Sequence, residues 1–363
     1  MKREWLGILV NDSLIEGIRK KNTGHENLRF YQEAGEKYQL TPCYFRLQDI
    51  SLRENKVTAF AESNGNWRTV RISLPSIIHN RAIFHTPKAM ERMKLLANQG
   101  VQIYNFWNRY SKLYISRLLE EEPKLHPFLP KTLLFSRENC QTMYEEFPSF
   151  LAKPVKGSVG EGIILCEKAD EHSFFIKFRQ NKRMIKHRVS SKILYHALKR
   201  ITGNSKYLLQ EKIPLATYEE SPFDLRVSVQ KNGSGEWGVT GMVCKVAHPG
   251  HFLSNVAQGG RVVPLEQALS AYSHLQVDKV TKKVEEAALS VTHFLDQKLP
   301  HLADVGYDFG IDEQGQPYFI EMNSRDQRYS FAKGNMMERW RLTYENPIAY
   351  GKYLLEMGKD LNN

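Results

Sequence analysis

The chain is poor in the residue patterns that most often announce a chemistry. Its four cysteines, Cys43, Cys140, Cys166 and Cys244, are scattered and form no Cys-x-x-Cys pair. Neither a zinc site nor a disulfide framework is indicated, and a reducing compartment fits. No apolar run approaches the ~18–20 residues of a membrane span. In the N-terminal MKREWLGILVND only residues 6–10 are apolar before Asn11 and Asp12, which reads as a buried first strand and not as a signal peptide. There is no nucleophile elbow and no Ser–His–Asp or Cys–His arrangement. His248 and His251 flank Gly250 with no Cys or carboxylate at ligand spacing, so they read as loop histidines. Helix-turn-helix and RNP-type signatures are missing, which ranks nucleic-acid binding last, on charge alone.

Acidic residues are missing from one long stretch. Residues 172–210 carry ten Lys or Arg and no Asp or Glu, so most of the net charge of +11 sits there. Such a block raises the local concentration of anionic partners. A solvated basic face without a partner is the competing reading. The rest of the composition is globular, with 41% hydrophobic and 25% charged residues, and the length suits roughly two or three domains.

Residues 5–10, 38–46, 56–61 and 75–79 read as strands and 13–21, 27–37 and 87–99 as helices, an α/β pattern. Residues 63–65 are a turn signal, and Pro87 and Gly100 bracket the last helix. A second region begins near Asn105. Residues 111–122 read as a helix with Lys112 in its first turn, and residues 129–132 as extended chain. Residues 150–155, 162–167, 207–213, 224–230 and 237–246 read as strands. Residues 265–298 read as largely helical, 305–311 and 317–322 as a hairpin, and 347–357 as a final helix.

The hairpin VGYDFGIDEQGQPYFIEMN is the most informative segment. A turn centred between Gln314 and Gly315 sets Asp308 opposite Glu321, with Cβ atoms about 4.5–5.5 Å apart. Two bare carboxylates there repel, and a divalent cation removes the conflict. Asn323 shares the face of Glu321. Two carboxylates and an amide oxygen form a hard set suited to Mg²⁺. A hydrated acidic hairpin is the alternative, and a one-residue slip would break the pairing.

FLAKPVKGSVGEGIIL puts Lys153 on a strand, Lys156 just after it, and Gly157, Ser158, Gly160 and Gly162 in a loop. Backbone N–H groups of such a loop can cradle phosphates. It is not a Walker A loop, since the Gly-Lys-Ser/Thr ending is absent and strand follows it. Glycines between strands are also common in ordinary hairpins. In FDLRVSV, Asp224 and Arg226 share one face, as an ion pair or as site residues. Lys245 lies on the next strand, and Asn255 in the SNVAQGG loop. Residues 207–213 form an apolar strand with a polar end at Glu211 and Lys212 before Ile213, where backbone groups could meet a flat base.

In this order the pieces resemble the ATP-grasp superfamily over residues 105–330. The most specific element is Asp-x12-Glu-x-Asn, at Asp308, Glu321 and Asn323. The whole chain, from LGILVNDSL through IIHNR, looks like the YheC/YheD family of endospore coat-associated proteins. The resemblance implies an α/β (α+β) fold. An N-terminal α/β pre-ATP-grasp domain spans 1–104. The first ATP-grasp lobe, 105–206, carries the glycine-rich loop, and the second, 207–363, carries the metal hairpin.

It further implies ATP as a ligand with one or two Mg²⁺, or Mn²⁺ in its place, on Asp308, Glu321 and Asn323. Lys112, Lys153 and Lys156 with the 157–162 loop would meet the phosphates. Glu211, Lys212 and Ile213 would flank the adenine, and Asp224 would hold the ribose. Arg226, Lys245 and Asn255 would be catalytic. The implied activity is a carboxylate–amine (or thiol) ligase working through an acyl phosphate on a peptide or anionic polymer. The acceptor or coat proteins would dock at 172–210, in the sporulating cell's cytoplasm and at the endospore coat. A coat scaffold that keeps the fold with little catalysis is the alternative. Two departures stand out: ligase relatives carry Arg where this chain has Lys245, and Asn-Ser-Arg-Asp-Gln-Arg replaces their Pro-containing segment after Glu-x-Asn.

Overall fold

The structure, a computed structural model, describes residues 4–63, 65–157, 160–181, 183–254 and 259–360. The N-terminal sheet is built around β1 (Glu4–Leu9), whose unbroken apolar run suits a parallel strand buried on both faces. Helices α1 (Asp12–Arg19) and α2 (Leu28–Tyr38) lead to β2 (Leu40–Phe45), β3 (Ile50–Ser51), β4 (Lys56–Ser63), β5 (Asn66–Ser73) and β6 (Ile77–Asn80). Helix α3 (Pro87–Asn98) precedes β7 (Gln102–Tyr104), and Thr86 Oγ1 caps its first turn by accepting from Ala89 N at 3.3 Å. The order is β3-β4-β2-β1-β6-β7, with β5 on β4. Strands β2, β1, β6 and β7 are parallel. Their C-terminal ends therefore deliver Asn11, Arg81 and Asn105 to one edge, where open parallel sheets bind ligands.

The second sheet follows α4 (Lys112–Glu120) and comprises β8 (Thr132–Leu134), β9 (Ser149–Pro154), β10 (Ile164–Asp170), β11 (Ser173–Gln180), β12 (Arg183–Ser190) and β13 (Tyr207–Glu211). Helices α5 (Arg137–Glu146) and α6 (Leu194–Thr202) pack on it. The order is β12-β11-β10-β9-β13-β8, every pair antiparallel. The basic stretch is thus a β-hairpin followed by a helix, elements the sequence reading left unassigned. Phe174 and Ile176 point into the core, while Lys177 pairs with Lys186 and Phe175 with Arg188 on the opposite face.

The third sheet runs β17-β16-β15-β18-β19, with β14 on β15. Its members are β14 (Thr217–Tyr218), β15 (Ser221–Lys231), β16 (Trp237–Val246), β17 (Arg261–Val263), β18 (Asp304–Ile311) and β19 (Pro317–Asn323). Helices α7 (Leu265–Ala268) and α8 (Val277–Lys298) cover one face. Val280, Val284, Ala287, Val291 and Leu295 recur at helical spacing and bury against Leu225, Val227, Tyr307 and Phe309. The opposite face is left to the polar residues of β15, β16 and β18. After α9 (Tyr329–Lys333), helix α10 (Met337–Asp360) returns to the first sheet. It starts ten residues before the position read from sequence, because Pro347 lies inside it rather than at its start. Pro347 cannot bond to the Thr343 carbonyl, and Gln230 Nε2 donates to that oxygen instead, at 2.8 Å.

Asn105 joins the first sheet to the third. Its φ is +52°, a conformation Asn tolerates better than most residues. Its backbone N–H donates to His301 O at 2.7 Å, and its Oδ1 accepts from Ala303 N at 3.0 Å and Asp304 N at 2.9 Å. Its Nδ2 donates to Ser324 O at 2.9 Å. Asn105→Ala strands these buried groups, each worth about 1–3 kcal/mol. The expected loss is about 3–5 kcal/mol in chemical denaturation, and a loss below about 1 kcal/mol would deny the residue this role.

Candidate functional site

Strand β15 alternates strictly. Phe223, Leu225 and Val227 enter the core, which leaves Asp224, Arg226 and Ser228 on the other face. Register then builds a charged row: Asp224 opposes Lys245 on β16, and Arg226 opposes Asp308 on β18. Arg226 Nε donates to Asp308 Oδ1 at 2.7 Å. Lys245 Nζ lies 2.9 Å from both Asp224 Oδ1 and Asp308 Oδ2. All four side chains are buried. Burial pushes the Asp308 carboxyl up, but Arg226 and Lys245 outweigh it and hold it well below the usual range. Asp224 is pushed up to about 6 by burial and by Asp308, against the pull of Lys245.

The hairpin pairs Asp308 with Glu321, the partners the sequence suggested, but by a different route. Gly315, at φ +73°, closes a tighter turn, in which Asp312 Oδ1 accepts from Gln314 N at 2.9 Å and Gln316 N at 2.8 Å. Phe309 accordingly faces Phe319, not Ile320, and a bulge at Ile320 restores the Asp308–Glu321 pair. The two carboxylates are also not bare. Asp308 is held by Arg226 and Lys245, and Glu321 by Lys112. Lys112 is set there by the Ser111 cap of α4, whose Oγ accepts from Tyr114 N at 3.2 Å. The repulsion expected from the sequence is thus removed by the protein's own cations. Among the described residues no group of three or more His, Cys, Asp or Glu is placed to hold a metal.

These residues border one cleft of about 1250 Å³, larger than the ~300–1,000 Å³ of a single small-molecule pocket. Lys112, Asp224, Arg226, Lys245 and Asp308 line it, as do Glu321 and Asn323, whose Nδ2 is buried without a hydrogen-bond partner. Lys153, Lys156, Gly157 and Gly160 approach from the second sheet, with Leu129, Leu208, Phe319 and Met322 as apolar walls. Ser158 and Asn255 lie outside the described residues; the neighbouring Ser254 donates to the Asp224 carboxylate.

The expected adenine-flanking residues do not border the cleft. The Glu211 N–H donates to Lys131 O at 2.9 Å, Lys212 Nζ pairs with Glu167 at 3.1 Å, and Ile213 is buried under Gly310. Gln210, one residue earlier, does reach it. Gly162 also stands off, with its carbonyl accepting from Tyr207 Oη at 3.0 Å and its φ of +73° needing glycine.

Several cleft residues escaped the sequence reading. Asp326 is fully buried; Ser228 Oγ and, at 3.2 Å, Arg226 Nη1 donate to it. Its signal was Gly306, a glycine inside β18, where a Cβ would meet Asp326 Oδ1 at 2.3 Å. Arg81 pairs with Glu26 at 2.7 Å, and Arg328 with Asp304. Asn11 and Asn108 clamp the chain after β6: Ile83 N donates to Asn11 Oδ1 at 2.9 Å, and Asn108 Nδ2 donates to Asn80 O at 2.7 Å. Asparagines in loops carry no sequence signal for such clamps.

A family model described as YheC/D-like ATP-grasp matches residues 100–354. The endospore coat-associated protein YheD of Bacillus subtilis (strain 168) is 25% identical over 328 residues, covering 86% of this chain and 71% of YheD. YheC of the same organism is 22% identical over 318 residues, covering 82% of this chain and 83% of YheC. Among solved structures, the ATP-grasp ligase PsnB, complexed with a precursor peptide and AMPPNP, superposes with a TM-score of 0.55 at 14% identity, over 96% of this chain and 98% of that one. That likeness is one of fold. Among the described residues no helix is long and apolar enough to cross a membrane.

Lys153 is buried, touches Gln210 and makes no ion pair among the described residues. Burial and the charge of Lys112 lower its pKa to about 8. A lysine pKa below its unfolded value of about 10.4 penalises the fold fully below pH 8, and the penalty fades as pH rises from 8 toward 10.4. Lys153→Met is therefore expected to stabilise the ligand-free protein by about 2 kcal/mol at pH 7, with the gain shrinking above pH 8. Denaturation of both proteins across pH 6–10 measures it, and a pH-independent difference would contradict the assignment.

Proposed function

The chain belongs to the YheC/D-like ATP-grasp family, and on that premise we propose that its cleft binds ATP with a divalent cation and activates a carboxylate for attack by an amine. The observation that carries this reading is the pairing of a buried, charge-balanced row with an uncompensated buried lysine in one cleft. A buried ammonium without a counter-ion costs stability, and such a cost is common where function needs the charge.

In this reading Lys112, Lys153 and Lys156 attract the phosphates, and Gly157 and Gly160 of the glycine-rich loop offer backbone N–H groups over them. Leu129, Leu208, Phe319 and Met322 sandwich the base beside Gln210. Glu211, Lys212 and Ile213 reach the base only through movement of the strand end. Asp224, sharing Lys245 with Asp308, sits where a ribose hydroxyl can compete for it. The γ-phosphoryl group passes to a substrate carboxylate oxygen with ADP as leaving group. An amine then displaces inorganic phosphate from the acyl phosphate. Arg226 and Lys245 stabilise the charge on the transferring group; the catalytic role that the resemblance implies for Asn255 falls outside the described residues.

The set Asp308, Glu321 and Asn323 fits a hard cation such as Mg²⁺, or Mn²⁺ in its place. It offers oxygen donors, Asn323 through its Oδ1, while the unpartnered Asn323 Nδ2 is free to donate to a phosphate oxygen. These three residues would hold one or two ions, which when bound neutralise the phosphate oxygens. Lys112 and Lys245, which compensate these acids without nucleotide, would turn to the phosphates.

The acceptor in this reading is a peptide or anionic polymer, or a coat protein, docked at the basic hairpin of β11 and β12. The cationic face of that hairpin supports this: Lys177 is paired with Glu167 and Arg188 with Asp170, while Lys186, 3.8 Å from the Phe175 ring centroid, is left to meet an anion. The names of YheD and YheC support association with the endospore coat; in this reading the protein itself works in the cytoplasm of the sporulating cell. The rival reading is a coat scaffold with little catalysis. The completeness of the Asp224–Lys245–Asp308–Arg226 row favours it, because that row is charge-balanced without nucleotide.

Titration of AMPPNP with and without Mg²⁺ separates these readings. Wild type is expected to bind in a Mg²⁺-dependent way, and Glu321→Ala to lose at least about tenfold in that affinity, about 1.4 kcal/mol. Equal Mg²⁺ dependence in the variant would sink the metal assignment. Nucleotide binding with no ADP formed from ATP under any peptide acceptor would favour the scaffold.

A further inference from the structure

Cations reach the cleft from two directions, and the phosphate-binding reading uses only those near the glycine-rich loop. The others come from the C-terminal edge of the first sheet and from the segment after β19. We propose that this second corner binds an anionic group, a carboxylate or a phosphate, on the non-nucleotide substrate, with Arg325 as its anchor and Arg109 beside it. The inference rests on the cleft being a two-substrate site.

Residues 324–328 alternate as sharply as a strand. Ser324, Asp326 and Arg328 are buried, and Arg325 and Gln327 remain on the cleft. Every buried member is fixed. Ser324 O accepts from Asn105 at 2.9 Å, and Asp326 O accepts from Arg81 Nη2 at 3.0 Å. The Asp326 carboxylate is held by Ser228 and Arg226, and Arg328 by Asp304 and, at 2.9 Å, Tyr31 Oη. The backbone on both sides of Arg325 is therefore preorganised.

The Arg325 side chain is not satisfied to match. A guanidinium carries five N–H donors. Its one hydrogen bond among the described residues is Nη1 to Arg81 O at 3.4 Å, and it makes no ion pair among them. A bond that long is weak. The surrounding acids are also taken: Glu26 is engaged by Arg81, Asp304 by Arg328, and Asp326 by Arg226 and Ser228, which leaves none for Arg325 among the described residues. His79 adds no charge near neutral pH, because burial lowers its pKa to about 4. Along the same wall Arg109 contacts the His85 ring rather than a carboxylate. A planar fork on a fixed backbone, in a half-buried corner whose acids are already engaged, suits bidentate binding of a carboxylate or phosphate. A surface arginine kept for solubility would need neither the fixed backbone nor the position in the cleft.

The test is calorimetry on the full chain with acetyl-trialanine, its C-terminal amide and O-phosphoserine, each titrated with and without saturating AMPPNP and Mg²⁺. Wild type is expected to bind at least one anionic probe and to discriminate acetyl-trialanine from its amide or to prefer phosphoserine; which arm responds identifies the anion. Arg325→Gln should weaken that probe at least tenfold, Arg325→Lys by less, and both should bind AMPPNP within twofold of wild type, which also reports folding. Arg109→Gln, at the exposed rim, should weaken the probe about threefold and serves if Arg325→Gln does not fold. Anionic probes that bind Arg325→Gln as well as wild type overturn the proposal, as does a wild type that binds none. Loss of AMPPNP binding with probe discrimination intact would overturn the nucleotide reading and leave this subsite standing.

Discussion

One buried guanidinium holds the charged side of the molecule together. Arg226 reaches Asp308 on the neighbouring strand at 2.7 Å and Asp326 beyond β19 at 3.2 Å. Removing one partner of such a pair leaves an uncompensated buried charge, a loss of about 3–5 kcal/mol. Replacing the whole set by apolar residues would often be neutral or stabilising by the same physics. Stability alone therefore does not explain why an acid and a base alternate on the face of a sheet whose other side is an ordinary apolar core. The arrangement makes sense as a device that keeps several charges dry, fixed and facing a cleft. Arg226 is its keystone because the β18–β19 hairpin, Lys245 and the segment after Asn323 all take their positions from groups it binds.

The first sheet meets that row through backbone contacts held by asparagines rather than through apolar packing alone. Asn80 Nδ2 donates to Asn105 O and Asn108 Nδ2 to Asn80 O, and Asn105 reaches both Ala303–Asp304 and Ser324. Amide side chains suit this work because each offers donors and an acceptor to chain segments that have left their sheets and lost ladder partners. The wall formed after β6 is consequently rigid, and the cleft has one side from each of the three sheets.

Much of this was legible in the sequence wherever one face of an element is apolar and the other polar. FDLRVSV reads correctly because its period of two is unbroken. The Asp308–Glu321 pairing was reached from a turn centre half a residue off, and the bulge at Ile320 cancelled the error. Elements without that contrast were lost. Strand β12 is exposed on nearly every residue, and α5, RENCQTMYEE, buries only Cys140 and Met143. The Ser136 cap, which accepts from Asn139 N at 3.1 Å, was the signal that could have found α5. Pro347 misled in the other direction. A proline reads as a helix start, and only the tertiary bond from Gln230 to Thr343 O makes it tolerable in the middle. The buried roles of Asp326 and Arg328 depend on partners dozens of residues away, which no local pattern reports.

The two departures from the ligase pattern look different once their surroundings are known. Lys245 sits between two carboxylates, 2.9 Å from each. A point charge with three donors serves that position, while the fork-shaped contact is supplied by Arg226 on the adjacent strand. The substitution thus changes which cation is bidentate without removing positive charge from the row. The segment Ser-Arg-Asp-Gln-Arg is likewise no degenerate tail. Its second acid–base pair is built into the interior, through Asp326 under Gly306 and Arg328 on Asp304. A segment that had merely lost a function would not be expected to keep two buried charges with complementary partners. What it exchanges is the identity of the group presented to the cleft, where a guanidinium now stands. The departures therefore change which groups line the cleft more than whether a charged cleft is kept.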